Sequence, residues 1–284
     1  MDCGRFATPP NKCLKRTGGI VLGESGNLTD RWLSVSESVV HVSELTRRFG
    51  ATTALASVSL SLPRGAVYGL VGANGAGKTT LIKHILGLLR AESGSVRVFG
   101  LDPVADPVAV LSRIGYLSEE NDLPGWMRVD ELIGYTSAFY PKWDDAYAEE
   151  LRQAFALDPA ATIRNLSRGQ RARAGLLIAL AHRPELLVLD EPSSGLDPIV
   201  RRDILGAVIR TIAHEGRTVL FSSHLLEEVE RVADHVTMIH QGKIVLSAPL
   251  DDIRESNRVG ERVPSLDEIF VAHVGRDAAP APEA

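Results

Sequence analysis

Gly72-Ala73-Asn74-Gly75-Ala76-Gly77-Lys78-Thr79-Thr80 is the stretch on which the reading of this chain turns. It fits G-x-x-x-x-G-K-T, the pattern of a phosphate-binding P-loop. The residues before it, Ala66-Val67-Tyr68-Gly69-Leu70-Val71, read as a buried strand, and those after it, Leu81-Ile82-Lys83-His84-Ile85-Leu86, as a helix. Strand, loop and helix in that order are the context such a loop requires. The glycines let backbone N–H groups curl around phosphates with no side chains in the way, and the helix N-terminus adds positive potential where an anion sits. Lys78 can reach the β- and γ-phosphates of a nucleotide, and the Thr79 hydroxyl can hold Mg²⁺.

Around that loop, 284 residues at 44% hydrophobic and 24% charged suit one or two globular domains. A net charge of -5 leaves no electrostatic case for nucleic acid. A membrane span needs about 20 mostly apolar residues. The best apolar run, Leu176 to Ala181, is stopped by His182-Arg183-Pro184, so the chain is expected to dock on a membrane rather than cross it. Cys3 and Cys13, the only cysteines, fit no zinc spacing. The start, Met1-Asp2-Cys3-Gly4, lacks the basic-then-apolar layout of a secretory signal.

Residues 1–37 mix Gly, Ser, Thr, Pro and charges without a period and read as a flexible N-terminal extension. Val39–Leu45 and Val58–Leu62 alternate and predict a hairpin. Ala91-Glu92-Ser93-Gly94 reads as a turn before a strand over Ser95–Phe99, and Ile114–Leu117 as a short strand ending at Ser118-Glu119-Glu120. From about 122 to 165 the composition changes: with Tyr116 included, eight of the fifteen aromatics fall here. Val129–Tyr140 and Asp144–Phe155 look helical, split by Pro141. The chain then alternates again: helix Gln170–Leu180, strand Leu186–Leu189, helix from Pro198 to about Glu215, strand Thr218–Phe221, helix Leu225–Ala233, and strands His235–His240 and Lys243–Leu246. Ser265-Leu266-Asp267-Glu268 can cap a last helix to Val274 before an Ala/Pro tail. The fold class is α/β, a P-loop NTPase core with a mainly parallel sheet, N-terminal antiparallel strands and an inserted helical subdomain at about 120–168.

Two further stretches carry chemistry. Leu186-Leu187-Val188-Leu189-Asp190 is an apolar strand ending in a carboxylate, the Walker-B pattern, whose Asp helps hold Mg²⁺ opposite Thr79. Glu191 follows at the strand tip, where a carboxylate can take a proton from an attacking water. Leu166-Ser167-Arg168-Gly169-Gln170 opens a helix, with Ser167 as a plausible N-cap and Gly169 letting an anion approach backbone N–H groups. Taken alone, Asp190-Glu191 is equally an acidic turn and Ser167 equally a plain helix cap.

Taken together with Asp190-Glu191-Pro192-Ser193-Ser194-Gly195-Leu196-Asp197-Pro198, the set resembles the signature of ATP-binding-cassette (ABC) ATPases, and Phe49–His240 resembles an ABC transporter nucleotide-binding subunit. The resemblance implies ATP and Mg²⁺ as ligands and 38–250 as the ATPase domain, followed by a C-terminal helix and tail over 251–284. It also implies roles. Phe49 stacks on adenine, and Gly72, Ala73, Asn74, Gly75, Ala76, Gly77, Lys78, Thr79 and Thr80 hold the phosphates. Ser167, Gly169 and Gln170 reach the ATP of a second copy. Ser194-Gly195-Leu196-Asp197 forms the D-loop that faces that copy, and His224 touches the γ-phosphate. Glu119 stands where the family usually has a metal-binding Gln, and Arg168 where Gly is common; Arg168 is expected to point away. Trp126, Met127, Tyr135, Phe139, Tyr140 and Trp143 form either the insert's own core or a cleft for a partner helix. Phe139–Asp144 and Ser265–Phe270 look like bacterial export-type cassettes. The implied protein is a peripheral ATPase on the cytoplasmic side of the cell membrane, paired with an integral membrane permease and a second cassette. The alternative is a soluble ABC ATPase acting on ribosomes or DNA. One cassette, no heptads and no basic patch speak against it.

Overall fold

The computed structural model describes residues 38–120, 122–197, 199–202, 204–206, 216–258, 260 and 262–277. The extension read over 1–37 and the tail from 278 lie outside them. So does most of the helix expected from Pro198 to Glu215, although 199–202 and 204–206 are helical.

Alternation of apolar and polar residues builds the first sheet. β1 (Ser38–Phe49) and β2 (Thr52–Pro63) form an antiparallel hairpin, and a later strand, β4 (Ser93–Val98), pairs along the other side of β1. Val40, Val42, Val58, Leu60 and Leu62 point one way into a core.

The second sheet has the continuous apolar runs of strands covered on both faces. β3 (Val67–Val71) leads through the P-loop into α1 (Lys78–Ile85). After β4 come α2 (Pro107–Leu111) and β5 (Ile114–Leu117), then α3 (Val129–Ser137), α4 (Asp145–Ala154) and α5 (Arg168–Leu180). The chain returns through β6 (Leu186–Leu189), β7 (Thr218–Ser223), α6 (Leu226–Val232), β8 (His235–His240) and β9 (Lys243–Pro249). It closes with α7 (Leu250–Ser256) and α8 (Leu266–Asp277). The sheet order is β5-β6-β7-β3-β8-β9, parallel except for β9. Val67, Val71, Leu187, Leu189, Val219 and Phe221 pack on the α5 and insert side, whereas Tyr68, Leu70, Leu186, Val188 and Leu220 pack on the α1 and β1–β2 side. The carboxyl ends of β3, β5, β6 and β7 therefore share one edge, the place where open α/β sheets bind ligands.

Several expectations change in detail. β4 starts at Ser93, so Gly94, read as a turn residue, lies inside the strand at φ 81, where the pairing with β1 shifts register. A Cβ there would sit 2.4 Å from the carbonyl oxygens of Ser43 and Glu44. α2 and α7 went unread because helices this short show no period. The insert's six marked residues divide. Trp126, Tyr135 and Phe139 are exposed (74%, 53% and 63%), while Met127 is buried, Trp143 packs on the core and Tyr140 stacks on His182 at 3.9 Å.

Candidate active site

The P-loop folds as its glycines demand. Gly77 caps α1 at φ 112, in the left-handed region, and a Cβ there would lie 2.6 Å from the Ala54 carbonyl oxygen. Gly242, in the β8–β9 turn, braces the loop: its N–H donates to Ala76 O at 2.9 Å, and its carbonyl accepts from Ala56 N at 2.8 Å. The first turn of α1 holds no acidic residue, so its positive end is left for an anion. Ala73, Asn74 and Gly75 are exposed, Gly72, Ala76 and Lys78 buried, and Thr79 and Thr80 half-buried.

Lys78 is 5% exposed, and a buried ammonium is costly unless its hydrogens are used. It donates to Gly72 O at 2.6 Å and Ala73 O at 3.2 Å and forms an ion pair, without a hydrogen bond, with Glu191 Oε1 at 3.0 Å. Glu191, also 5% exposed, places Oε2 2.7 Å from His224 Nδ1. A carboxylate only accepts, so Nδ1 carries the hydrogen and Nε2 is left to face outward chemistry. The Glu191 backbone sits at φ 47, a conformation rare for a side-chain-bearing residue. Its N–H donates to Ser222 Oγ at 2.9 Å, and Ser222 Oγ–H donates to Asp190 Oδ1 at 2.6 Å. Ser222 thus joins the two adjacent carboxylates of the β6 end to β7. Sequence reading passed over Ser222, although it lies two residues before the histidine.

The candidates on α5 stand apart from this cluster among the described contacts. Ser167 and Gln170 form a capping box, with Gln170 N donating to Ser167 Oγ at 3.2 Å and Ser167 N to Gln170 Oε1 at 2.9 Å. Gly169 is buried against Val200, where a Cβ would come within 2.7 Å of Val200 Cγ2. Asp197 caps the next helical segment, accepting from Ile199 N at 2.9 Å and Val200 N at 3.1 Å. Arg168 does not point away as expected. Its guanidinium lies over Gly195: a Cβ there would sit 2.2 Å from Arg168 Nη1, so the arginine would have to move aside, and the φ of 63 favours glycine in any case. Glu119 is exposed and accepts from Ser194 Oγ at 3.5 Å. Phe49 is 47% exposed, with the Arg47 guanidinium 4.8 Å from its ring centre.

Among the described residues no three acidic, His or Cys side chains form a self-contained metal cage. Thr79, Asp190 and Glu119 offer oxygen only, a hard donor set that suits Mg²⁺ completed by phosphate oxygens and water.

A P-loop lysine paired with a strand-end carboxylate on a doubly covered parallel sheet defines a P-loop NTPase. The family model described as "ABC transporter" matches residues 55–194. The bacitracin transport ATP-binding protein BcrA of Bacillus licheniformis is 32% identical over 224 residues, covering 78% of this chain and 73% of that protein. The solved ATP-binding subunit of an ABC transporter superposes with TM-score 0.76 at 29% identity, over 84% of this chain and 100% of that one. A cassette solved as a dimer in a post-hydrolysis state with ADP and Pi shares the fold, with TM-score 0.67 at 21% identity over 74% and 98%. The chain belongs to the ABC transporter family as an ATP-binding, ATP-hydrolysing subunit. Among the described residues no helix is long and apolar enough to cross a membrane.

Proposed function

We propose that two copies of this chain, or this chain and a related cassette, sandwich two ATP molecules and drive export of a substrate through a separate membrane permease. The observation that carries the catalytic part is Glu191, buried at a strand end between Lys78 and His224. Phosphates arriving at the P-loop compete with Glu191 and two carbonyls for the Lys78 ammonium. Once Lys78 turns to the phosphates, Glu191 is the carboxylate left beside the γ-phosphate, suited to take the proton of the attacking water. His224 holds that carboxylate through Nδ1–H, so its contact with phosphate falls to Nε2, which donates only in the imidazolium form. Thr79, Asp190 and Glu119 would hold Mg²⁺, which neutralises charge between the β- and γ-phosphates. Phe49 offers an exposed ring to adenine. Ser167, exposed at the head of α5, with Gly169 and Gln170 beside it, serves the other copy's nucleotide, the arrangement two-fold pairing requires.

Docking on the permease falls to Trp126, Tyr135 and Phe139, on the cytoplasmic side of the cell membrane. The export direction is supported by the likeness of Phe139–Asp144 and Ser265–Phe270 to export-type cassettes, and a role in transport by a relative named for bacitracin transport.

Glu191→Gln tests the reading. It keeps size and one of the two accepting oxygens but removes the proton acceptor, so turnover falls about 10²–10⁴-fold. Because the P-loop, Asp190 and Ser167 are untouched, the variant holds ATP and accumulates as a dimer on size exclusion with ATP but not with ADP. Turnover near wild type removes Glu191 from the base role, and a slow variant that stays monomeric with ATP removes the sandwich.

A further inference from the structure

Four residues beyond His224, α6 buries a carboxylate that the reaction as described does not use. Glu228 is 5% exposed, while its neighbour Glu227 faces out. Glu228 Oε2 accepts from Ser193 Oγ at 2.6 Å and from Ser223 Oγ at 3.2 Å, and Oε1 pairs with Arg201 Nε at 3.0 Å. Each partner flanks a working part. Ser193 lies two residues after Glu191, Ser223 directly precedes His224, and Arg201 sits in the helical turn after Ser194–Asp197.

The β6–β7 ladder ends at the pair Leu189↔Phe221. Beyond that pair, the spacing of Glu191 and His224 depends on side-chain bonds: their own contact at 2.7 Å, the Ser222 bridge, and Glu228, which ties the residues that flank both of them. A buried carboxylate is an expensive filler for space that an apolar side chain could occupy, unless its bonds are needed.

We infer that Glu228 is a positioning residue for hydrolysis, which sets the separation of Glu191 and His224 and links both ends of the Ser194–Asp197 segment to them. It rests on the proposed function above, since it needs Glu191 and His224 to act on the nucleotide. Movement of the segment that faces the second copy then reaches the proton acceptor through Ser193 and the histidine through Ser223.

The test is steady-state ATPase activity of the full chain carrying Glu228→Gln, Ser193→Ala, Ser223→Ala and the Ser193→Ala/Glu228→Gln pair, with fluorescent-ATP titration and thermal melting alongside. Glu228→Gln keeps shape but loses the charge facing Arg201. The expected result is a kcat loss of about tenfold or more, the scale at which misplaced groups lose rate, with nucleotide Kd within about twofold. The double variant loses no more than Glu228→Gln alone, because the residues act as one unit. A kcat within about twofold of wild type, a Kd that weakens in step with kcat, or losses that multiply in the double variant each overturn the inference. If Glu228→Gln does not fold, Ser193→Ala, Ser223→Ala and their combination give the same readings. Glu191→Gln run in parallel separates the failures. If it stalls while Glu228→Gln does not, only this inference falls; if it turns over at the wild-type rate, the catalytic reading itself falls.

Discussion

The strand-end cluster and the outer face of the helical insert break the usual partition of side chains in opposite senses. At the cluster, Lys78, Asp190, Glu191 and Glu228 carry charge into the interior. At the insert, Trp126, Tyr135 and Phe139 carry apolar area outward, with Tyr135 on α3 and Phe139 just past its end set edge to face at 5.1 Å. The buried charges are tolerated because each finds its partner within the same chain. The exposed rings find no such cover. The buried charges are thus paired within the chain, whereas the exposed rings leave apolar area uncovered among the described residues.

Lys78→Ala attacks the satisfied side and carries the largest expected effect on nucleotide affinity. It removes charge-assisted bonds of about 1.5–3 kcal/mol, roughly ten- to a hundredfold in ATP affinity. It also leaves the buried Glu191 carboxylate facing only His224, so the melting temperature falls too. Phe49→Ala, at an exposed ring, loses about 0.5–1.5 kcal/mol, or roughly two- to tenfold. Nucleotide titration checks the order, and equal losses at the two positions would contradict it.

On the unsatisfied side, Trp126→Ser combined with Phe139→Ser is expected to abolish co-purification with the membrane subunit. ATPase activity of the lone chain and its melting temperature stay unchanged, because neither ring supports the fold. A loss of lone-chain activity would mean that the face belongs to the catalytic body after all.

The smallest effect lies at the joint between the two regions, where Tyr140 of the insert stacks on His182. His182 Nε2 lies 3.1 Å from Ile114 O, and burial pushes the imidazole from its usual 6.5 to about 4. The folded state thus holds the neutral ring while the unfolded chain takes up a proton, so stability is lost as pH falls from about 6.5 to about 4. His182→Phe keeps a ring against Tyr140 without the titration. Urea midpoints measured across that window are expected to show the wild type's slope flattening in the variant. Parallel slopes would assign the acid loss to other groups.

Much of this was legible in the sequence. Gly72–Thr80 and Leu186–Glu191 announce themselves because a P-loop and a strand-end carboxylate need fixed residue types at fixed spacing. The alternation in β1 and β2 and the apolar run of β3 likewise follow from burial on one face or two. What stayed hidden depends on contacts distant in sequence. Ser222 looks like an ordinary strand-end serine until β7 is laid beside β6. Arg168 reaches Gly195, which no local pattern foretells. Glu228 did leave a trace: Leu225, Glu228, Val229 and Val232 share one helical stripe, and an acid in an apolar stripe signals a buried partner. The insert's rings could not be sorted by composition, because core and docking face draw on the same residues.

At the head of α5, the capping box fixes more than a helix end. The Ser167 oxygen already receives the Gln170 amide hydrogen, and the Gln170 side-chain oxygen receives that of Ser167. The two side chains still present three hydrogens, one on the hydroxyl and two on the amide, against one remaining lone pair on each oxygen. Accepting a bond also polarises the serine O–H and strengthens it as a donor. The rim is thus richer in hydrogens to give than in lone pairs to receive them.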